Sequence, residues 1–480
     1  MTRRTKIVAT VGPASESPAD LDRLLAAGVD VVRLNLSHGP VTEHLQRLAA
    51  VRASAGRVGR VVAILADLPG PKVRAGRFDE GGVVLVEGSV IRLIAGDGPS
   101  SADEIAVDYP TLAIDLALDD RIVLGDGAIS LRTTAVRAGS VDAVVLTGGR
   151  VQGRPGVHLP SERLRLTAPT EVDLELAAAM SRAGVDFLAV SFVRSGADMD
   201  KVREVVGADG PRLVAKIETA PALAALDGII EASDAIMVAR GDLGIECPLE
   251  DVPHLQKRII RACVEAGVPV ITATQMLESM ITAPAPTRAE VSDVANAVFD
   301  GTDAVMLSAE TAIGHDPALV VHTMGVIAER AEREADYGAW AARVGRVQRL
   351  AVAPSPAGDR VTLAISHAAW QAAADAGVSA ILCCTRSGRT ARAMARYRPE
   401  ASLIGLSPDP ATQRAMALSW GVTPLAVAEQ LSTDDMVWIA VETTVKAGLA
   451  SSGEYVLVLA GAPDRRSGAA TDVLRIVRIA

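Results

Sequence analysis

Short apolar runs, each followed by a stretch with helical spacing, recur along the first two thirds of the chain. They are IVATV (7–11), VDVVRLN (29–35), VVAILAD (61–67), VDFLAVS (185–191), RLVAK (212–216), AIMVA (235–239), PVITAT (269–274) and DAVMLS (303–308). Runs of this length and continuity read as parallel strands buried on both faces. Their starts are about 20 to 35 residues apart, the repeat of a βα unit, except for the gap from 61 to 185. Eight such units predict a (β/α)8 barrel, and the gap predicts a domain inserted after the third strand.

Within the gap the period changes to two. VVLVEG, VIRLIAG, RIVLGDG, AISLRTTAV and VDAVVLTGG alternate and are punctuated by Gly and Asp, which predicts a small all-β, β-barrel-like module. The corner around Pro69 and Pro71 is its entry hinge, and RPGVHLP (154–160) is its return. After about residue 335 a polar, Ala/Arg-rich helix and a loop, APSPAGD (353–359), lead to a further βα series. Its strands are AILCCT, ASLIGLS, GVTPLAV and YVLVLA, with a final DVLRIVRI, as in a doubly wound domain. The expected division is a catalytic barrel (1–70 and 157–335), an inserted lid (71–156) and a C-terminal α/β domain (336–480), the last a candidate for effector binding or oligomerisation.

Composition narrows the classes. Aromatic residues are 2% against 49% apolar, so Ala, Val, Leu and Ile must fill the cores. A net charge of −10, with no basic stripe and few rings to stack on bases, argues against nucleic acid. Four cysteines, two of them adjacent (Cys383, Cys384), make no disulfide framework, and no charged-then-apolar leader opens the chain, so a cytoplasmic protein is expected. No uncharged apolar stretch reaches the ~20 residues of a membrane span, so no membrane partner is expected. Only six of the 48 cationic residues are lysines, at 6, 72, 201, 216, 257 and 446. Where charge alone matters this sequence writes Arg, so each retained Lys hints at a need for a compact ammonium.

Active residues of such barrels lie where the strands end. Those ends carry Arg33, Asn35, Ser37 and His38, then Asp67, Ser191 and Phe192, Lys216 and Glu218. Arg240, Gly241 and Asp242 follow, then Thr274 and Gln275, and Ser308 and Glu310. Glu218 and Asp242, without any His/Cys ligand spacing in the chain, suit an all-oxygen Mg²⁺ or Mn²⁺ site; an ion pairing with Lys216 and Arg240 would consume them instead. Lys216 beside a divalent ion could stabilise an oxyanion, and the amides opening a helix at Gly241 could grip a carboxylate or phosphate. No P-loop is present. The residues alone thus point to a metal-dependent barrel enzyme acting on a small phosphorylated or carboxylated substrate.

TKIVATVGPAS (5–15), VVRLNLSHG (31–39), AKIET (215–219), IMVARGDLGIE (236–246), ITATQMLESM (271–280), PTRAEVSDVANAVFDGTDAVMLSAETA (286–312) and TRSGRTAR (385–392) resemble the pyruvate kinase family, in order and over nearly the whole chain. The resemblance implies a cytoplasmic, glycolytic phosphotransferase that moves the phosphoryl group of phosphoenolpyruvate to ADP, giving pyruvate and ATP, and that is usually homotetrameric and often allosteric. It implies Glu218 and Asp242 as Mg²⁺ ligands, Lys216 as stabiliser of the moving phosphoryl group and enolate, and Arg33 on the phosphate. Gly241, Asp242, Ser191 and Thr274 would hold the rest of the substrate, while Thr274, Ser308 and Glu310 mark the side from which C3 is protonated. His38, Arg74 and Asn35 would face the nucleotide. Most of the family reads Asp-Thr-Lys-Gly-Pro-Glu where this chain has Asp67-Leu68-Pro69-Gly70-Pro71-Lys72. Asn35, Ser37 and Asp67 of the family's K⁺ site remain, and Lys72 is the expected replacement for the ion. Arg154 stands near a position where the family commonly has a nucleotide-binding lysine, although Pro155 follows it. The loop Thr385, Arg386, Ser387, Gly388, Arg389 and Thr390 resembles one that binds a phosphorylated effector in some relatives and could equally be scaffolding. Two rivals remain at this stage: a barrel lyase or mutase working through a metal-bound enolate, and a non-catalytic sugar-phosphate sensor.

Overall fold

The computed structural model describes residues 3–125, 127–350, 357–429, 432–461 and 470–480, with backbone alone for 347–350 and 357–359. Strands β1 (Lys6–Thr10), β2 (Val31–Asn35) and β3 (Ala63–Asp67) open a barrel. The insert supplies β4 (Phe78–Leu85), β5 (Val90–Ala95), β6 (Glu104–Val107), β7 (Arg121–Leu124), β8 (Ile129–Arg137), β9 (Ser140–Thr147), β10 (Gly149–Gly153) and β11 (Val157–His158). The barrel then resumes with β12 (Phe187–Val190), β13 (Arg212–Ile217), β14 (Ala235–Ala239), β15 (Val270–Ala273) and β16 (Ala304–Leu307). All eight pairings are parallel and β16 closes on β1, so the eight apolar runs are the eight staves. Their side chains alternate between two dry cores. One face of each strand meets the outer helices, and the other fills the barrel interior with Val8, Val31, Leu65, Phe187, Val214, Met237, Ile271 and Met306.

The insert is a curled six-stranded sheet, in the order β11-β7-β8-β9-β5-β6, beside the ribbon β10-β4. It carries one short helix, Leu112–Asp115, that alternation did not foretell. The sheet runs past residue 156, where the lid was expected to end. Val157 pairs with Leu124, and Leu159 lies in the lid core because its apolar neighbours are there.

The C-terminal sheet contains β17 (Ala380–Cys384), β18 (Ser402–Ser407), β19 (Val422–Ala426), β20 (Tyr455–Gly461) and β21 (Thr471–Arg478), in the order β19-β18-β17-β20-β21. The first four are parallel and β21 is antiparallel to β20. Two expectations change here. The helix Tyr337–Leu350, assigned above to this domain, packs Ala341 and Val344 into the barrel's outer core. Of the expected loop 353–359, residues 353–356 lie outside the described residues. The last three open the helix Ala357–Asp375 instead, since a proline just upstream and an aspartate in the first turn favour a helix start.

This domain seats on the N-terminal mouth of the barrel. Ala417 and Leu418 enter the barrel's interior core and close it from below. Lys6 Nζ donates to the carbonyl of Val422 at 2.8 Å, and buried Arg398 pairs with Asp303 at 3.1 Å. Nothing in the periodicity announced that one domain would plug another.

Candidate active site

At the opposite mouth the strand ends converge. A cavity of about 160 Å³ is lined by Arg33, Asn35, Ser37, Asp67, Lys72, Ser191, Lys216, Glu218, Asp242, Thr274 and Ser308. Lys216 is its centre. Its ammonium donates to Ser191 Oγ at 2.8 Å and lies 2.8 Å from Glu218 Oε1 and 3.4 Å from Asp67 Oδ1. Burial by itself would lower the lysine pKa, but the Asp67 and Glu218 carboxylates outweigh it and hold the group cationic. Asp67 is in turn chelated by Arg33, at 2.6 Å from Nη2 and 2.7 Å from Nε, and its carboxyl is held low against its burial by Lys216 and Arg33. Arg33 also reaches Thr10 Oγ1 at 3.0 Å, which fixes its plane across strands β1 and β2.

Glu218 is under different tension. Its Oε2 accepts the Phe192 amide at 2.6 Å, while no donor is aligned on the buried Oε1 despite the nearby ammonium. Burial and the like charge of Asp242 push its carboxyl up. Asp242 has no ion-pair partner among the described residues. The competing use of these carboxylates is met by half: Lys216 pairs with Glu218, but Arg240 turns away to Asp293 at 2.7 Å. Among the described residues no cluster of three His, Cys, Asp or Glu side chains could cage an ion. A buried carboxylate lacking an aligned donor, with a second carboxylate next to it, fits a hard divalent cation whose other ligands are water and substrate oxygens.

Backbone strain gathers on the same rim. Phe192, Thr274 and Gln275 have φ of 56°, 70° and 53°, three of the five non-glycine residues at positive φ among the described residues. Thr274 Oγ1 accepts the Gly241 amide at 2.8 Å and donates to its own strand's Ala273 carbonyl at 2.6 Å, so that amide is engaged within the protein. Glu310 does not line the cavity. It lies behind it, accepting the Ser308 amide at 2.6 Å and the Leu277 amide at 3.3 Å.

The unusual corner also resolves. Gly70 has φ 68°, and a Cβ there would stand 2.7 Å from the Phe192 ring and 2.8 Å from Ser191 Cβ, so only glycine lets the hinge pass the site. Beyond it, Lys72 turns back and donates from Nζ to Ser37 Oγ at 2.9 Å, while Asn35 Oδ1 accepts the Ser37 amide at 3.2 Å. Burial, then the neighbouring Lys216, lowers the Lys72 pKa.

A second cavity, about 320 Å³, opens between lid and barrel and is lined by His38, Lys72, Arg74, Phe192, Arg194, Asp242 and Glu246 among others. His38 and Arg74 therefore face it together, whereas Asn35 belongs to the first cavity. Arg154 lines neither. Its guanidinium stays on the lid, 3.6 Å from Asp108 and 3.4 Å from the Ala75 carbonyl, as the displacement before Pro155 would dictate. Sequence reasoning passed over Glu246, which accepts from Ser161 Oγ at the return hinge, and Asp173, which accepts the Gly70 amide at 3.0 Å. No local pattern marked either, because their partners lie 85 and 103 residues away.

The loop 385–390 lies far from both cavities, below the barrel. Thr385 Oγ1 accepts the Gly388 amide at 2.9 Å, Arg386 pairs with Glu429, Thr390 is buried against Thr471, and the Ser387 carbonyl accepts from Arg212 of the barrel at 2.7 Å.

Known proteins are similar to this chain in sequence. Residues 2–321 match the family model described as pyruvate kinase, barrel domain, and residues 363–477 match pyruvate kinase, alpha/beta domain. A pyruvate kinase of Methylorubrum extorquens is 44% identical over 99% of this chain and 97% of its own length. One from Geobacillus stearothermophilus is 42% identical over 99% of the chain and 80% of its own length. One from Corynebacterium glutamicum is 41% identical over 98% and 96%. None of the three is named as a lyase, mutase or sensor.

Proposed function

The chain belongs to the pyruvate kinase family and is a phosphotransferase, and from that premise we propose that it transfers the phosphoryl group of phosphoenolpyruvate to ADP with Mg²⁺ at Glu218 and Asp242 and without a requirement for K⁺. In the transfer the bond from phosphorus to the enol oxygen breaks, a bond to the β-phosphate oxygen of ADP forms, and the enolate left behind takes a proton at C3 to become pyruvate. The observation that carries this reading is the largely buried Lys216 ammonium, held cationic between Asp67 and Glu218 in a cavity shared with Arg33, Asp242 and Thr274.

Lys216 meets the negative charge that develops on the bridging oxygen and on the moving phosphoryl group, in a site where few waters compete. Arg33, its plane fixed by Asp67 and Thr10, offers its remaining donors to the phosphate. Glu218 and Asp242 would hold a divalent ion, which would supply Lewis-acid stabilisation of the substrate's negative charge. Thr274 and Ser308 line the same cavity, where Thr274 would meet the face of the enolate that receives the proton, with Glu310 anchoring both loops behind them. His38 and Arg74 line the lid cleft together, where they would face the nucleotide, and a closing lid would exclude water.

The case against K⁺ rests on Lys72. Its ammonium occupies the position beside Ser37 and supplies the same single charge, and a K⁺ ~3–4 Å away would be repelled by more than 1 kcal/mol even at high dielectric. Asp67, which the ion would share, is already neutralised by Arg33 and Lys216. Leu68 adds an apolar side chain where the family offers a hydroxyl.

The test is pyruvate formation from phosphoenolpyruvate and ADP with Mg²⁺ in buffer stripped of K⁺, with and without added KCl. Equal turnover in both is expected. Strong activation by KCl would remove Lys72 from its role, and no pyruvate in either would overturn the reading as a whole.

A further inference from the structure

The turn that carries Thr274 is held from outside itself. β15 ends its strand ladder at Ala273, and the next two residues, Thr274 and Gln275, both have left-handed φ, 70° and 53°. A β-branched threonine adopts that conformation only under constraint. The constraint is Arg240, the first residue beyond β14. Its Nε donates to the Ala273 carbonyl at 3.2 Å, and its Nη2 to the Thr274 carbonyl at 2.6 Å and the Gln275 carbonyl at 3.5 Å. Three successive carbonyls thus converge on one edge of a guanidinium. The other edge is anchored, with Nη1 at 2.7 Å from Asp293 and 3.3 Å from Gln256 Oε1. The side chain is only 10% exposed.

We propose that Arg240 is a positioning residue for the proton-transfer half of the reaction, acting through Thr274: its planar fork pins the left-handed turn and so fixes the place of the threonine hydroxyl in the cavity wall. The inference rests on the role of Thr274 given above. It explains why Arg and not Lys follows β14. One rigid plane can meet three carbonyls and a carboxylate at fixed angles, whereas an ammonium is a point charge with three donors on a flexible stem. It also accounts for a strained backbone that is not stabilised by local sequence, since neither Thr274 nor Gln275 is a residue that relaxes at positive φ.

The experiment is a double-substitution cycle on the full-length enzyme, Arg240→Lys and Thr274→Ala singly and together. Two readouts are followed: steady-state turnover, and exchange of the pyruvate methyl protons with deuterated solvent in the presence of Mg²⁺ and ATP, which reports the proton step alone. Arg240→Lys keeps the ion pair with Asp293. It is expected to lower both kcat and the exchange rate about 10²-fold, as a misplaced group does, while the KM for ADP stays within about twofold. On the Thr274→Ala background the same change should cost less than about threefold, because the two residues then act as a unit. Full multiplication of the two losses would overturn the proposal. A Thr274→Ala enzyme with undiminished turnover and exchange would instead overturn the role of Thr274, and the clamp's purpose with it. Arg240→Gln, which can still serve one carbonyl, is the second variant. If neither it nor the lysine variant folds by circular dichroism, Arg240 is a structural residue and the proposal fails.

Discussion

At the base of the barrel Asp30, Asp186, Asp234 and Asp303 stand just before strands β2, β12, β14 and β16; at the rim Asp67, Glu218 and Asp242 stand at or just after the ends of β3, β13 and β14. The basal four repeat one device. Each accepts an amide of the neighbouring strand, from Ile7, Ile64, Leu213 and Val270, at 2.7–3.0 Å. Each then takes an arginine: Arg3 for Asp30, Arg52 and Arg414 for Asp186, Arg203 for Asp234 and Arg398 for Asp303. Arg414 and Arg398 come from the C-terminal domain, so the base uses its carboxylates as sockets for another domain. The rim leaves Glu218 with an oxygen on which no donor is aligned and Asp242 without an ion-pair partner among the described residues, and it adds strained backbone. The same staves therefore end in paired carboxylates at one mouth, while at the other only Asp67 is fully paired and Glu218 and Asp242 are not. Satisfaction stabilises the fold; its absence leaves free energy to be recovered by binding.

The contrast can be broken at either end. The largest effect is expected at the rim, where Lys216→Ala should cut turnover at least ~10³-fold while the circular dichroism spectrum keeps its native form. Retained turnover would mean that the rim charges are structural like those below. Next, Asp303→Ala leaves Arg398 buried and unpaired, which should lower stability by about 3–5 kcal/mol in denaturant titrations while activity per folded molecule changes little. A variant as stable as the parent would show that the sockets do not hold the domain.

Lys72→Glu restores the family's residue at the corner. K⁺-free turnover should fall by about 10–10²-fold and recover with KCl. The parent should show the same behaviour at alkaline pH. The Lys72 pKa is depressed below the free lysine value of 10.5, so its proton leaves at lower pH than that of an ordinary lysine. As pH rises through this range activity without K⁺ should drop, and added KCl should restore it; at neutral pH KCl should do nothing. A pH profile indifferent to KCl throughout would separate Lys72 from the cation position. The smallest effect belongs to Arg414→Ala. Asp186 keeps Arg52, and Arg414 is partly exposed, so the loss should be about 1 kcal/mol or less by thermal melting.

Much of this was legible beforehand because it is local. Parallel staves buried on both faces must be continuous apolar runs, so all eight could be counted, and chemistry placed at their ends had to meet around one axis. Lys72 was marked by scarcity, in a chain that otherwise writes arginine. What was not legible shares one cause. Arg154 lies in the right stretch of sequence, but its guanidinium stays with Asp108 on the lid, and a charge pattern does not reveal which partner wins. The helix Tyr337–Leu350 joined the barrel because its apolar stripe found room there, which a domain boundary drawn by composition cannot detect.

By itself, then, the sequence determined the number of barrel strands, the place of the insertion and which residues stand at the strand ends, since each depends on periodicity or on a contiguous motif. Only the tertiary structure decided that Leu418 stops the barrel from below, that four basal aspartates bind arginines up to 228 residues away, and that Arg240 gathers the carbonyls of a strained turn. These are contacts between distant segments. Their free energy comes from desolvation and geometry that exist only after the chain has closed, and no local pattern carries a trace of them.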